Sequence, residues 1–326
     1  MSAHSASAPS GFRALRHRVL GRWKHRPGIV PFLLFLPAGA FIGLLGILPE
    51  RWALAIGAAI GRVAWWSPRR RRVGRAHLAS AMPELDPRAR DRLLRRSCAQ
   101  LGRTGVEIVL VGRRWRPRLG ERVRWEPGTR EQLAQLRGRA LVGVLPHLGS
   151  VDVAGGALGI EGLRPVFPMR RPSNYYTARW LENARDGCGV TVIPRQGAVR
   201  RLLSQLKSGG TAVLATDQSA HHAPVFVHWF GRLAATERTA AALALRSGAP
   251  VLVFWCTREA VPTTWTFGCE LVRPESAPEL ATDEAVIALT ERMHRAMERA
   301  ILNHPEQYLW IHDRYRVRPE GESPHA

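Results

Sequence analysis

The longest apolar run lies near the start of the chain: from Pro27 to Pro49 no residue is charged over 23 positions, and about 20 suffice to cross the hydrocarbon of a bilayer. This stretch is a candidate membrane helix. Ala38-Gly39-Ala40 resembles a signal-peptide cleavage site, but the apolar run continues well past it. Ahead of it, residues 1–10 are small and polar, a composition that predicts disorder, and Arg13, Arg16, Arg18, Arg22, Lys24 and Arg26 form a basic run. Behind it, Trp52 to Trp66 is a second, shorter apolar segment interrupted by Arg62 and followed by Arg69, Arg70, Arg71, Arg72 and Arg75. Basic flanks on both sides predict a hairpin with both ends on the cytoplasmic face, or a single span with an interfacial second helix. Trp52, Trp65 and Trp66 stand where interfacial anchors belong.

Further along, the period changes. Asp86-Pro87 predicts a helix start, an acid at the cap and proline in the first turn, and Leu93, Leu94, Cys98 and Leu101 give that helix one apolar face. From 112 to 138 the chain is a basic connection punctuated by glycine and proline. Beyond Ala140, apolar runs at 141–145, 190–193, 211–215 and 251–256 alternate with helical segments at 174–186, 198–207 and 236–247. Residues 264–272 predict an edge strand, and 283–302 a long amphipathic helix. The fold class expected is α/β, a mixed sheet flanked by helices and preceded by an N-terminal helical membrane-anchoring region. The expected organisation is a basic N-terminus over 1–26, a membrane-associated region over 27–68 and a helical connection over 69–137. An α/β domain over 138–319 and a disordered tail over 320–326 complete it.

Composition adds a partner class. The formal net charge is +22, and only Lys24 and Lys207 are lysines, so arginine supplies the rest. Such a charge draws anionic phospholipid or nucleic acid, and by itself does not choose between them. The apolar segments and the lack of a nucleic-acid-binding motif turn the reading toward membrane phospholipid and away from nucleic acid. Cys98, Cys188, Cys256 and Cys269 form no C-x-x-C pair, which predicts reduced, packed thiols and no metal site. His221-His222 is read as a solvent-facing doublet. There is no internal repeat, Walker loop or dinucleotide-binding glycine fingerprint.

The stretch that carries chemistry is Leu141 to Asp152. A run of strand character stops at Pro146 and delivers His147, and Asp152 follows where a helix begins. A neutral imidazole can take a proton from a hydroxyl, and a neighbouring carboxylate fixes its tautomer. From these two residues alone the pair reads either as a base with its orienting acid or as a capping pair at a turn. The amides of Gly149 and Ser150, at the helix start, are candidate oxyanion donors.

With its surroundings, His147-(four residues)-Asp152 resembles the signature of glycerolipid acyltransferases. The whole chain, from about Phe32 to Pro319, is similar to the late acyltransferases of bacterial lipid A biosynthesis and their relatives that acylate other glycolipids. The likeness rests on Arg171-Pro172, Asp217-Gln218, Val227-His228-Trp229-Phe230-Gly231 with Ala234-Ala235-Thr236, and Pro305-Glu306-Gln307-Tyr308-Leu309-Trp310-Ile311-His312. It implies transfer of a fatty acyl chain from acyl carrier protein, or from coenzyme A, to a hydroxyl of a glycolipid. His147 would be the general base, with no metal or organic cofactor and no covalent acyl-enzyme. Arg171, with Arg170 beside it, would hold substrate phosphate or help the donor bind. Asp217 would order the site through an arginine, Arg195 being a plausible partner, or through the acceptor head group. Phe230, Gly231 and Thr236 would lie near the acyl pocket. The implied location is the bacterial inner membrane, with the catalytic domain facing the cytoplasm. The family's C-terminal motif carries two basic residues after its histidine, whereas here His312-Asp313-Arg314 stands. That leaves Arg314 and Arg316 for phosphate and admits other acceptors: a phosphatidylinositol mannoside, a lysophospholipid or an aminolipid. A scaffold that binds lipid without catalysis is a further alternative.

Overall fold

The computed structural model describes residues 24–261, 263–275, 282–319 and 321. The expectations for the first 23 residues and for the end of the tail lie outside these. Helix α1 (Ile29–Ile47) is long and apolar enough to cross a membrane, with only 11% of its apolar window buried. It is tied to the body where Asn174 Nδ2 donates to the Pro31 carbonyl at 2.7 Å and Phe32 packs edge-on against Tyr176. Helix α2 (Glu50–Val63) has 14 residues and packs along α4 (Pro87–Leu110). At 1.5 Å per residue it reaches about 21 Å, and among the described residues α1 alone is both long and apolar enough to span. The α2–α4 crossing is very close: a Cβ on Gly102 would stand 1.9 Å from the Gly57 carbonyl oxygen, and one on Gly61 would stand 2.1 Å from that of Cys98. Asp86 caps α4, its Oδ1 accepting from the amides of Arg88 and Ala89 with Pro87 at the first position.

Between α2 and α4 runs α3 (Pro68–Ala81), the first helix of the helical connection expected over 69–137. Trp65 is 9% exposed, with the Arg95 guanidinium 4.5 Å over its ring. It is therefore a core residue and not the interfacial anchor expected. Trp52 and Trp66 do face outward.

The sheet has seven strands in the order β1-β9-β8-β2-β5-β3-β4. They are β1 (Val123–Trp125), β2 (Leu141–Leu145), β3 (Pro165–Met169), β4 (Thr191–Pro194), β5 (Thr211–Ala215), β8 (Val251–Arg258) and β9 (Trp265–Val272), while β6 (Val225–Trp229) and β7 (Arg232–Thr236) form a separate hairpin. Strands β8, β2, β5, β3 and β4 run parallel to one another, and β9 is antiparallel to β8. The expected edge strand over 264–272 is thus an interior one, because β1, from the basic connection, pairs outside it.

Helices α5 (Thr129–Leu136), α6 (Val151–Ile160), α7 (Tyr175–Asp186), α8 (Ala198–Lys207), α9 (Thr239–Ser247) and α10 (Asp283–Asn303) cover the sheet. The apolar residues of β2 alternate between two cores. Val142 and Val144 join α8, α9 and α10 on one face, and Leu141 and Leu145 join α4, α5 and α6 on the other. A strand buried on both faces needs an unbroken apolar run, which Leu-Val-Gly-Val-Leu supplies. The carboxyl ends of five parallel strands therefore open on one edge, where ligands of such sheets gather.

Candidate active site

His147 stands just past the end of β2, where Pro146 leaves the ladder. Asp217 stands just past the end of β5, the neighbouring strand. Strands lie about 4.8 Å apart, so residues 70 positions distant in sequence come into contact. His147 Nδ1–H donates to Asp217 Oδ1 at 2.8 Å, and the His147 backbone amide donates to Oδ2, also at 2.8 Å. The carboxylate is 1% exposed and the imidazole 31%. The Nε2 lone pair therefore faces outward, with the Gln218 side-chain amide 3.2 Å away. Burial pulls the His147 pKa down, but the charge and hydrogen bond of Asp217 outweigh it and leave it raised. Burial pushes Asp217 up, yet His147's charge, its two hydrogen bonds and the charge of Arg314 hold Asp217 below its ordinary value.

The expected partner, Asp152, does not touch His147. It lies in the first turn of α6 and receives Arg185 Nε, from α7, at 2.6 Å. A five-residue spacing through a strand-to-helix turn carried this side chain round to α7. Arg185, which the sequence did not mark, lies close enough for its charge to oppose protonation of His147.

The oxyanion assignment also needs correction. The Gly149 amide donates to the Gln307 carbonyl at 3.0 Å and the Ser150 amide to that of Cys256 at 2.8 Å, so both are already engaged. The Ser150 hydroxyl is fully buried and gives α6 no cap.

What these bonds do is fix the turn. Gly149 has φ +63°, and a Cβ there would stand 2.1 Å from the Cys256 carbonyl oxygen, so only glycine fits. Its carbonyl receives Thr104 Oγ1 at 2.9 Å and Arg258 Nη2 at 3.3 Å. Arg258, at the end of β8, forms a forked ion pair with Glu107 of α4, which is fully buried. The Gln307 side chain bonds both backbone groups of Arg258, at 2.8 and 3.0 Å. The C-terminal segment thus clamps the turn that carries His147 to β8.

The other candidate residues occupy different places. Arg314 is 2% exposed and spends its guanidinium on the Gln218 carbonyl at 3.1 Å and Thr236 Oγ1 at 2.5 Å. It braces Asp217 from within and does not present itself to phosphate, which corrects the role expected for it. Thr236 is its partner. Arg195 pairs with Glu237 at 3.6 Å and not with Asp217. Arg171 pairs with Glu182 at 2.9 Å, beyond the end of β3, and Arg170 beside it is exposed. His312 Nε2 accepts the Ser219 amide at 3.1 Å, and Asp313 reaches the exposed Arg69 at 3.5 Å. His221 and His222 are exposed, as expected.

Next to the site an apolar cavity lies between α6, α7 and the sheet. Its walls include Ile108, Phe167, Val190, Val213 and Phe254, with Asp152 and Arg185 also lining it. Phe230 and Thr236 are not among its lining residues. The arrangement places an imidazole with an outward-facing Nε2 beside a small apolar cavity.

Comparison with known proteins identifies the family. The family model described as bacterial lipid A biosynthesis acyltransferase matches residues 29–317. The chain is 28% identical over 285 residues to the lipid A biosynthesis palmitoleoyltransferase of Escherichia coli strain K12, covering 85% of this chain and 89% of that one. It is 26% identical over 292 residues to the lipid A biosynthesis lauroyltransferase of the same organism, covering 86% and 91%. It is 23% identical over 288 residues to a lipid A biosynthesis acyltransferase of Haemophilus influenzae, covering 86% and 87%. The chain belongs to the bacterial lipid A biosynthesis acyltransferase family.

Proposed function

We propose that this acyltransferase moves a fatty acyl chain from the thioester of acyl carrier protein, or of coenzyme A, to a hydroxyl of a lipid A-type glycolipid, with His147 as the general base. The observation that carries this reading is the two-point grip of the buried Asp217 on His147. It sets the tautomer that leaves Nε2 free to accept a proton. The acceptor hydroxyl displaces Gln218 and gives its proton to Nε2 as its oxygen attacks the thioester carbon. The tetrahedral oxyanion collapses, the carbon–sulfur bond breaks, and the imidazolium returns the proton to the departing thiolate. Negative charge on the oxyanion is met by the Arg185 cation, whose charge reaches His147. The small apolar cavity between α6 and α7 offers the lining where the acyl chain enters. A strongly basic surface suits an acidic carrier protein, and α1 supplies the membrane anchor. The basic runs on both sides of the apolar segments support a catalytic domain on the cytoplasmic face of the inner membrane.

The test is acyl transfer by detergent-solubilised protein, with carrier-protein and coenzyme A donors against a panel of bacterial lipid acceptors read by mass spectrometry. A glycolipid product formed by wild type and absent with His147→Ala is expected. Undiminished product from His147→Ala would remove the base assignment. A product formed only on a lysophospholipid, a mannolipid or an aminolipid would replace the acceptor.

A further inference from the structure

The catalytic turn is braced by a guanidinium that is not fully used. Arg258 is 10% exposed and spends Nε and Nη2 on Glu107, Thr104 and the Gly149 carbonyl. Its Nη1 is buried and has no hydrogen-bond partner. A buried cationic donor without an acceptor is costly, so this atom marks a place where an acceptor belongs. Two more arginines belong to the adjoining helices. Arg103, half-buried, precedes Thr104 on α4, and Arg62 follows Gly61 on α2, at the closest approach of the two helices. Burial, then the charges of Arg258 and Arg62, push the Arg103 guanidinium below its ordinary pKa against the pull of Glu107, so Arg258, Arg62 and Glu107 each lie within electrostatic reach of Arg103. Three guanidiniums against one carboxylate leave two positive charges uncompensated. One helical turn before Arg103, Gln100 Oε1 is a buried acceptor without a donor.

We propose that Arg62, Arg103 and the free Nη1 of Arg258 form a binding site for a phosphate group of the acceptor glycolipid, one strand over from His147 on the same edge of the sheet. The proposal rests on the acyltransferase reading above and extends it. A phosphate dianion matches the uncompensated charge, and its oxygens match the forked donors of arginine. The acceptor is favoured over the donor because Arg62 lies among apolar residues that are left exposed, the kind of surface a lipid covers. It is flanked on α2 by Ile60 and Val63, which are 52% and 53% exposed, with Trp66 at 75% beyond them. Gln100 would take a hydrogen bond from a sugar hydroxyl next to the phosphate. Because Arg258 also holds the Gly149 carbonyl, phosphate binding and the placement of His147 share one side chain.

The test uses binding, so it does not depend on turnover. A phosphorylated glycolipid and its dephosphorylated counterpart in detergent micelles are titrated against wild type, Arg103→Gln and Arg103→Lys, with coenzyme A titrated separately and thermal unfolding as a check of the fold. The expected result is that wild type prefers the phosphorylated lipid and that Arg103→Gln loses about 10- to 100-fold in affinity for it alone. Arg103→Lys should recover part of this. Equal binding of both lipids by wild type, or an equal loss for both in Arg103→Gln, overturns the phosphate site. A loss confined to coenzyme A assigns the phosphate to the donor and overturns the acceptor assignment. If wild type binds neither lipid, the acceptor class in the proposed function fails, and this site fails with it.

Discussion

Asp217 serves His147 in two ways that a single substitution separates from packing. Asp217→Asn keeps the shape but turns the acceptor of the Nδ1 proton into a group that can also donate, and it removes the charge that raises the imidazole. The wild-type His147 pKa is raised, so activity should fall as pH drops through a value above the ordinary histidine pKa of about 6.5. In Asp217→Asn the raising influence is gone while burial still lowers the imidazole, so the acid limb of kcat/KM should move to lower pH. The plateau should fall by about 10²- to 10⁴-fold. An acid limb that stays in place would show that Asp217 does not set the base. Gly149 has a different role: with φ +63° and a backbone oxygen 2.1 Å from any Cβ, Gly149→Ala must shift the turn that carries His147. Activity should be lost more completely than stability, read by comparing turnover with thermal unfolding, and an alanine variant of wild-type activity would refute the constraint. The sequence made His147 legible because an apolar run, a proline and a histidine mark a strand end. It pointed to Asp152 as the orienting acid because spacing reports only what is near along the chain. Asp217 becomes the neighbour through the β2–β5 pairing, which no local pattern encodes. Arg314 was misread for a related reason: an arginine is expected at the surface, and its hydrogen bonds to 218 and 236 exist only once the hairpin folds over it.

At the scale of elements, the central strands and the helices over 198–207 and 283–303 were legible because each carries one clean period. β3 contains two prolines and β1 only three residues, and neither offers an alternation long enough to read. α3 begins with a proline and four arginines, which read as a charge cluster, yet it buries Gly74, His77 and Leu78. The α2–α4 crossing is set by Gly57, Gly61 and Gly102, which bring two backbones to a distance that excludes any side chain. Overpacking commonly costs about 1–3 kcal/mol, and here the obstacles are backbone atoms that cannot turn aside. Gly102→Val should therefore destabilise the protein by at least that much and expose the segment around 57–61 to protease. If the variant melts with wild type and resists cleavage there, the close crossing does not secure α2. Because α4 also holds the turn after His147, through Thr104 directly and through Glu107 by way of Arg258, loosening this crossing should lower turnover as well.

For the whole molecule, two forces could hold the protein at a membrane, and their magnitudes decide between them. The net charge of +22 contributes about 1 kcal/mol for each basic residue near an anionic surface at low salt. That contribution fades as the screening length shrinks to about 3 Å at 1 M salt. The apolar contribution does not fade in this way. α1 exposes Ile29, Leu33, Leu34, Leu44 and Ile47, and α2 and the turn after it expose Trp52, Ile60, Val63 and Trp66. Each such side chain, moved from water into hydrocarbon, contributes roughly 1.5–3 kcal/mol, so these residues together exceed what screened charge can supply. The protein should therefore remain with vesicles of anionic phospholipid when the salt is raised to 1 M, and it should bind zwitterionic vesicles as well, with a lower association rate. Release at high salt, or failure to bind zwitterionic vesicles, would mean that arginine alone does the holding, and the membrane role of α1 would have to be given up.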